Sequence, residues 1–218
     1  MKKEYTSSRK TKEKILSAAY QLFAEKGYEG ATTRQIAALS GQKLFSISYH
    51  FTSKEQLYSA VIDNIINTIK SSKVVIDDPD VSKDMGFVQL MTIVGNMVQG
   101  SLGKDGETNG PVILREQYHP TINFSKLSKG IIEPIQNGIE IALANAVGRP
   151  DLVGTREFQL HSHLIHSLSL SYRTFRETLK SRLNITELND SDKHELIKVV
   201  SFEVESIVKG LRNKYGTE

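Results

Sequence analysis

Apolar residues recur every three or four positions along most of this chain, and no stretch alternates apolar and polar over a strand's length, so the pattern predicts an all-α protein. Ile15, Leu16, Ala19, Leu22 and Phe23 form the stripe of an amphipathic helix from about Thr11 to Lys26, with Gly27 at the expected C-terminal cap. Residues 1–10 are polar and read as a mobile tail, a basic arm that can lie along DNA phosphates or equally do nothing. Thr32 and Gln35 make a capping box that opens a second helix, with Ile36, Ala37 and Leu39 facing inward. Ser40-Gly41-Gln42 supplies a tight turn, and Gly41 can adopt the left-handed backbone such a turn needs. A third short helix, about Lys43 to Phe51, has Leu44, Ile47 and Phe51 at helical spacing. Ser53 and Gln56 form another capping box. It starts a helix to about Lys73 with two apolar rows, Leu57-Val61-Ile65-Ile69 and Tyr58-Ile62-Ile66.

Asp77-Asp78-Pro79-Asp80 reads as a break. Beyond it, Ser82 to Gly100 repeats the helical pattern, and the polar, glycine-containing run from Leu102 to Gly110 is expected to be a loop. Pro111 suits the first turn of a short helix reaching Tyr118, which His119-Pro120 ends. Phe124 to Val147 reads as one long helix with a kink or break near Gly130, because Pro134 lies inside it. Thr155 to Arg182 and Asp190 to Lys214 read as the last two helices. This places an N-terminal three-helix bundle in residues 1–54, a connecting helix at about 53–74, and a larger helical domain in residues 75–218.

Two short helices joined by a three-residue turn are the helix-turn-helix pattern, whose second helix enters the DNA major groove. Such pairs also occur in helical proteins that never touch DNA, so the charge distribution matters. Net charge is only +3, but residues 1–54 carry ten Lys/Arg against four Asp/Glu, and the remainder carries eighteen against twenty-one. A basic head on a mildly acidic body suits a nucleic-acid-binding unit joined to a second function. There is no cysteine, hence no disulfide framework and no thiolate nucleophile or metal ligand. The basic, polar N-terminus has no apolar h-region, and no apolar run approaches a membrane span, so a cytoplasmic setting without membrane attachment is expected.

The run from Ile15 to Tyr58 carries Ala18-Ala19, Leu22-Phe23, Lys26-Gly27-Tyr28, Thr32-Thr33, Ile36-Ala37, Gly41, Tyr49-His50-Phe51 and Ser53-Lys54-Glu55-Gln56-Leu57. In order and spacing, these resemble the N-terminal domain of the TetR family of transcriptional regulators. The segment Arg115 to Thr121 and the helix after it resemble, more loosely, the C-terminal domain of the CecR-type branch. The sequence departs from the family pattern at Gln42, Lys43 and Phe45-Ser46-Ile47-Ser48, on or beside the groove-facing surface. The resemblance implies a ligand-responsive regulator, most simply a repressor that binds a palindromic operator as a homodimer and is released by a small-molecule inducer.

On the recognition helix, Lys43, Phe45, Ser46 and Ser48 should face the groove, with Leu44 at the margin. Lys43 can donate to guanine, the serines can meet either base type, and Phe45 can meet a thymine methyl. Tyr49, His50 and Lys54 match family positions that hold the phosphate backbone, although Tyr49 also reads as a core tyrosine and His50 as a helix cap. Thr33 and Arg34 open the second helix, where free N–H groups also favour phosphate.

In the body, Leu196, Val200, Val204, Ile207 and Leu211 form one near-heptad seam, and Leu160, Leu164, Leu168, Tyr172 and Phe175 form another. Of these, Leu164, Leu168, Phe175, Val200, Val204, Ile207 and Leu211 are the expected dimer contacts, the alternative being that both stripes face their own subunit's core. Candidate ligand contacts are Met91, Arg115, Tyr118, Phe124, Phe158, His161 and Tyr172, each of which also reads as plain core. His163 and His166 share a helix face that His161 does not, and no carboxylate stands at i+3 or i+4 beside them, so no metal is expected. No cofactor is expected either, and no nucleophile elbow, phosphate loop or HExxH pair supports an enzyme. An architectural nucleic-acid binder without ligand is the main rival, but it leaves the large body idle.

Overall fold

The computed structural model describes residues 2–71 and 81–216, and these are helical with no strand among them. The helices are α1 (Lys2–Gly30), α2 (Thr33–Ser40), α3 (Leu44–His50), α4 (Lys54–Ser71), α5 (Lys83–Leu102), α6 (Lys104–Tyr118), α7 (Phe124–Leu127), α8 (Glu133–Val147), α9 (Arg156–Thr174), α10 (Arg176–Leu183) and α11 (Asp190–Tyr215). The expected break at residues 77–80 lies outside the described residues.

The chain divides into two compact units, Met1–Ser72 with Thr108–Gly130, and Lys73–Glu107 with Ile131–Glu218. A single cut near residue 75 does not provide for the first unit, because residues 108–130 belong to it. The polar ties explain why. The Tyr20 hydroxyl donates to the Thr108 carbonyl and to Asn109 Oδ1. Tyr58 donates to Glu116, and the Lys126 ammonium pairs with Asp63 at 2.6 Å. Phe23, Tyr28 and Tyr58 form an aromatic cluster, with Phe23 edge-on to Tyr58, and Ile15, Ile36, Ile47, Leu57, Ile62 and Ile65 are buried in the same unit. Burying such side chains contributes about 1.5–3 kcal/mol each.

The second unit packs α5, α8, α9 and α11 around Leu90, Val94, Ile139, Leu143, Phe158, Ile165, Val204 and Val208. Gly86 lets α5 approach α8: a Cβ there would lie 2.6 Å from the Ala146 backbone nitrogen.

Several expectations differ from what the chain does. The first helix starts at Lys2 instead of near Thr11, since no Gly or Pro interrupts residues 2–26. Leu39 points outward and is exposed. The expected loop at 102–110 is the start of α6, and Pro111 sits inside that helix. The expected kink near Gly130 is a π-helical segment, Ser128–Ile132, which absorbs the hydrogen bond that Pro134 cannot donate. The penultimate helix breaks at Phe175 into α9 and α10. In α11, Leu196, Val200, Val204 and Leu211 face their own unit's core, Ile207 is partly buried, and the outward face carries Val199 and Phe202 instead.

Candidate nucleic-acid interface

The turn between α2 and α3 is built by local chemistry. The Gln35 N–H donates to Thr32 Oγ1 at 3.2 Å, and the Thr32 N–H donates to Gln35 Oε1 at 3.0 Å, closing the capping box. Gly41 takes φ +64°, and the Gln42 N–H returns to the Ala37 carbonyl at 3.1 Å, the motif that ends a helix on a left-handed residue. Lys43 is the extended N-cap of α3 and Phe51 its C-cap. At the start of α4, Gln56 N–H donates to Ser53 Oγ at 3.0 Å, while Gln56 Oε1 accepts from Thr52 rather than from Ser53 itself.

Ile47 and Phe51 anchor α3 in the core, and this fixes what faces out. Phe45 and Tyr49, four residues apart and opposite Ile47, are 78 % and 71 % exposed. Lys43, Leu44 and Ser48 are exposed beside them, and Ser46 and His50 are partly buried. Thr33 and Arg34 stand in the first turn of α2, Arg34 fully outward. The Lys54 ammonium lies 4.3 Å from the Tyr28 ring centre, a cation–π contact that holds it at the head of α4. Burial, with Glu55 and Glu29 nearby, raises the Tyr28 pKa, so its hydroxyl stays neutral under Lys54. Lys12 counted in the sequence only as part of the basic N-terminal excess; its ammonium sits 5.6 Å from the Phe51 ring centre, a placement that the packing of α1 on α3 sets.

The expected ligand residues are divided between the two units. Arg115, Tyr118 and Phe124 belong to the first unit, and Met91, Phe158, His161 and Tyr172 to the second. Arg115 is committed elsewhere: its Nε donates to the Ala24 carbonyl at 3.1 Å and its Nη2 to the Glu25 carbonyl at 2.6 Å. These carbonyls precede the non-helical Gly27, so the guanidinium caps α1's main run. Tyr118 is exposed, and Phe158 is wholly buried in the second core. His161 Nδ1 and Gln89 Oε1, both in the second unit, are buried with no hydrogen-bond partner among the described residues. His163 and His166 do share a face. The Gln136 side-chain nitrogen lies 3.0 Å from His163 Nδ1 and 3.3 Å from His166 Nδ1, so one amide bridges both rings. Burial, and then His163, push the His166 pKa down to about 4.

An exposed, partly aromatic and cationic helix face presented by a capped helix pair is the geometry of a helix-turn-helix. Residues 15–61 match the bacterial regulatory proteins of the tetR family, and residues 88–210 match the C-terminal domain of the HTH-type transcriptional dual regulator CecR. The second match spans more than half of the chain, which therefore belongs to the TetR family of DNA-binding transcriptional regulators, in its CecR-type branch. The dual regulator CecR of Shigella flexneri is 29% identical over 212 residues, 93% of each chain. The HTH-type transcriptional repressor NicS of Pseudomonas putida is 23% identical over 216 residues, again 93% of each. Among solved structures, AibR in complex with isovaleryl coenzyme A and operator DNA shares the fold, with a TM-score of 0.62 at 14% identity over 88% of this chain and 96% of that one. No helix among the described residues is long and apolar enough to cross a membrane.

Proposed function

We propose that this regulator acts in the cytoplasm as a homodimer that reads a palindromic operator through α3 and is released by a small-molecule inducer held in its second unit. The observation that carries the reading is the outward face of α3, where Lys43, Phe45, Ser48 and Tyr49 stand free above a buried Ile47. Lys43 and Phe45 supply base contacts, with Ser46 and Ser48 beside them; Thr33, Arg34, Tyr49, His50 and Lys54 supply phosphate contacts.

The dimer is supported by an apolar strip on the second unit. Leu160, Leu164 and Phe175 are exposed along the outer side of α9 and its end, with Leu168 half-covered between them, and Val199 and Phe202 are exposed on α11. An unpartnered stripe of that kind on two long helices suits a four-helix contact across a two-fold axis. The inducer is supported by the second unit's buried polar atoms on Gln89 and His161, since a buried polar atom without a partner costs about 1–3 kcal/mol until something satisfies it. A ligand that prefers one spacing of the two heads shifts the dimer away from operator-competent forms.

The test is binding of purified protein to DNA just upstream of its own gene, titrated with salt. A footprinted inverted repeat with half-sites about one helical turn or more apart, and a steep salt slope, supports the reading. Weak binding of equal strength on every sequence counts against it.

A further inference from the structure

The N-terminal turns of α1 lie outside the family match, which begins at residue 15. Ile15 is also the first fully buried side chain among the described residues of that helix. Yet α1 begins at Lys2. At about 1.5 Å per residue, roughly 20 Å of helix therefore precede the core of the head. Over this stretch Ser8, Arg9, Lys10, Lys12, Glu13 and Lys14 are exposed.

Residues 2–14 carry six Lys/Arg against two Glu. Cations at the start of a helix oppose its macrodipole, and from Ser8 to Lys14 no buried side chain offsets that cost. A polyanion alongside reverses the sign. Arg9 pairs with Glu13 at 3.5 Å, and with both side chains largely exposed the pair contributes little and leaves the guanidinium available.

The placement matches the charge. Lys12 stands over Phe51, the C-cap of α3, so α1 runs past the end of the helix that reads bases. Arg9 lies three residues earlier on the same face, one turn further out.

We propose that the first turns of α1 are a second DNA-contacting element. Lys12 and Arg9 grip phosphates flanking the stretch that α3 reads, which lengthens the footprint and adds no base preference. The proposal rests on α3 being the reading helix. Bases are not read because a helix lying across the backbone reaches only phosphate and sugar.

The experiment compares the full-length protein with the Arg9→Ala/Lys12→Ala variant on two duplexes, one ending at the palindrome and one with about ten further base pairs on each side. On the long duplex the log–log salt slope of the variant should be shallower by about 0.9 for each phosphate it no longer neutralises. Base preference and thermal melting should match wild type, and on the trimmed duplex the two proteins should bind alike. Arg9→Ala alone, at an exposed position, should give about half the slope change. This guards against an indirect effect of Lys12 on Phe51. Equal slopes on the long duplex, with the wild-type footprint intact, overturn the α1 proposal alone. A wild-type protein with no sequence-specific footprint overturns the α3 assignment and this proposal with it.

Discussion

The Tyr58 hydroxyl donates to Oε1 of Glu116 across 2.7 Å, and the Glu116 residue is only 1 % exposed. The same carboxylate also accepts from the Thr121 N–H at 3.1 Å and the Thr121 hydroxyl at 2.9 Å. Burial and this carboxylate both push the Tyr58 pKa upward, so the phenol remains a donor through any ordinary pH range. Tyr58→Phe leaves a buried acceptor with one donor fewer and should destabilise the protein by about 1–3 kcal/mol. A shift in the urea midpoint with an unchanged slope checks this. A midpoint equal to wild type would mean that Thr121 alone satisfies the carboxylate.

Gly86 sets how closely α5 meets α8. An added Cβ would lie 2.6 Å from the Ala146 nitrogen and 2.7 Å from the Asn145 carbonyl carbon, and backbone atoms cannot rotate away. Gly86→Ala should therefore cost about 1–3 kcal/mol, although alanine is the better helix former. Gly41→Ala meets no neighbour within 4 Å, and its cost of about 1–2 kcal/mol comes from the left-handed backbone alone. Thermal melts of the two variants separate overpacking from backbone strain.

His166 makes stability depend on acidity. Its folded pKa is lowered to about 4 from an ordinary 6.5. Between those values the unfolded chain takes up a proton that the folded chain refuses. Stability is thus lost as pH falls from about 6.5 toward 4, and this contribution levels off below that. His166→Gln should flatten the stability profile in that window, as measured by denaturant midpoints at half-unit pH steps. A variant as steep as wild type would show that His166 is not the group responsible.

The apolar strip on the second unit tests the dimer. Leu164→Glu with Phe202→Glu places charges on two exposed positions whose replacement opens no core. The variant should remain helical, sediment as a monomer and bind DNA at least tenfold more weakly, because one half-site replaces two. A variant that stays dimeric moves the interface elsewhere.

Much of the first unit was legible in the sequence because its signals are local. Thr32 with Gln35, Gly41, and Ser53 with Gln56 act within a few residues: the first pair closes its box, Gly41 makes the turn, and Ser53 caps Gln56 while the return bond comes from Thr52. The exposure of Phe45 followed from the same logic, since Ile47 at helical spacing is buried, whereas Tyr49, which also read as a core tyrosine, lies outward. What spacing cannot show is which neighbour a stripe faces. Val200, Val204 and Leu211 have the spacing of an interface seam, yet they join the core that α5, α8 and α9 of their own unit build. Spacing likewise cannot show that Arg115, a candidate ligand contact, has main-chain carbonyls some 90 residues away as its partners. The helix across 104–110 was hidden by glycine and proline, whose local preference the packing of α6 overrides.

The central claim, that α3 reads bases while the rest of the head holds phosphates, is tested most directly by selection from a random duplex library with wild type and Lys43→Ala in parallel. Wild type should enrich an inverted repeat. Lys43→Ala should enrich a repeat of the same spacing with guanine preference relaxed at one position in each half-site. Identical enriched sequences from both proteins would contradict the assignment of Lys43 to the groove, and no enrichment by wild type would contradict base reading by α3 altogether.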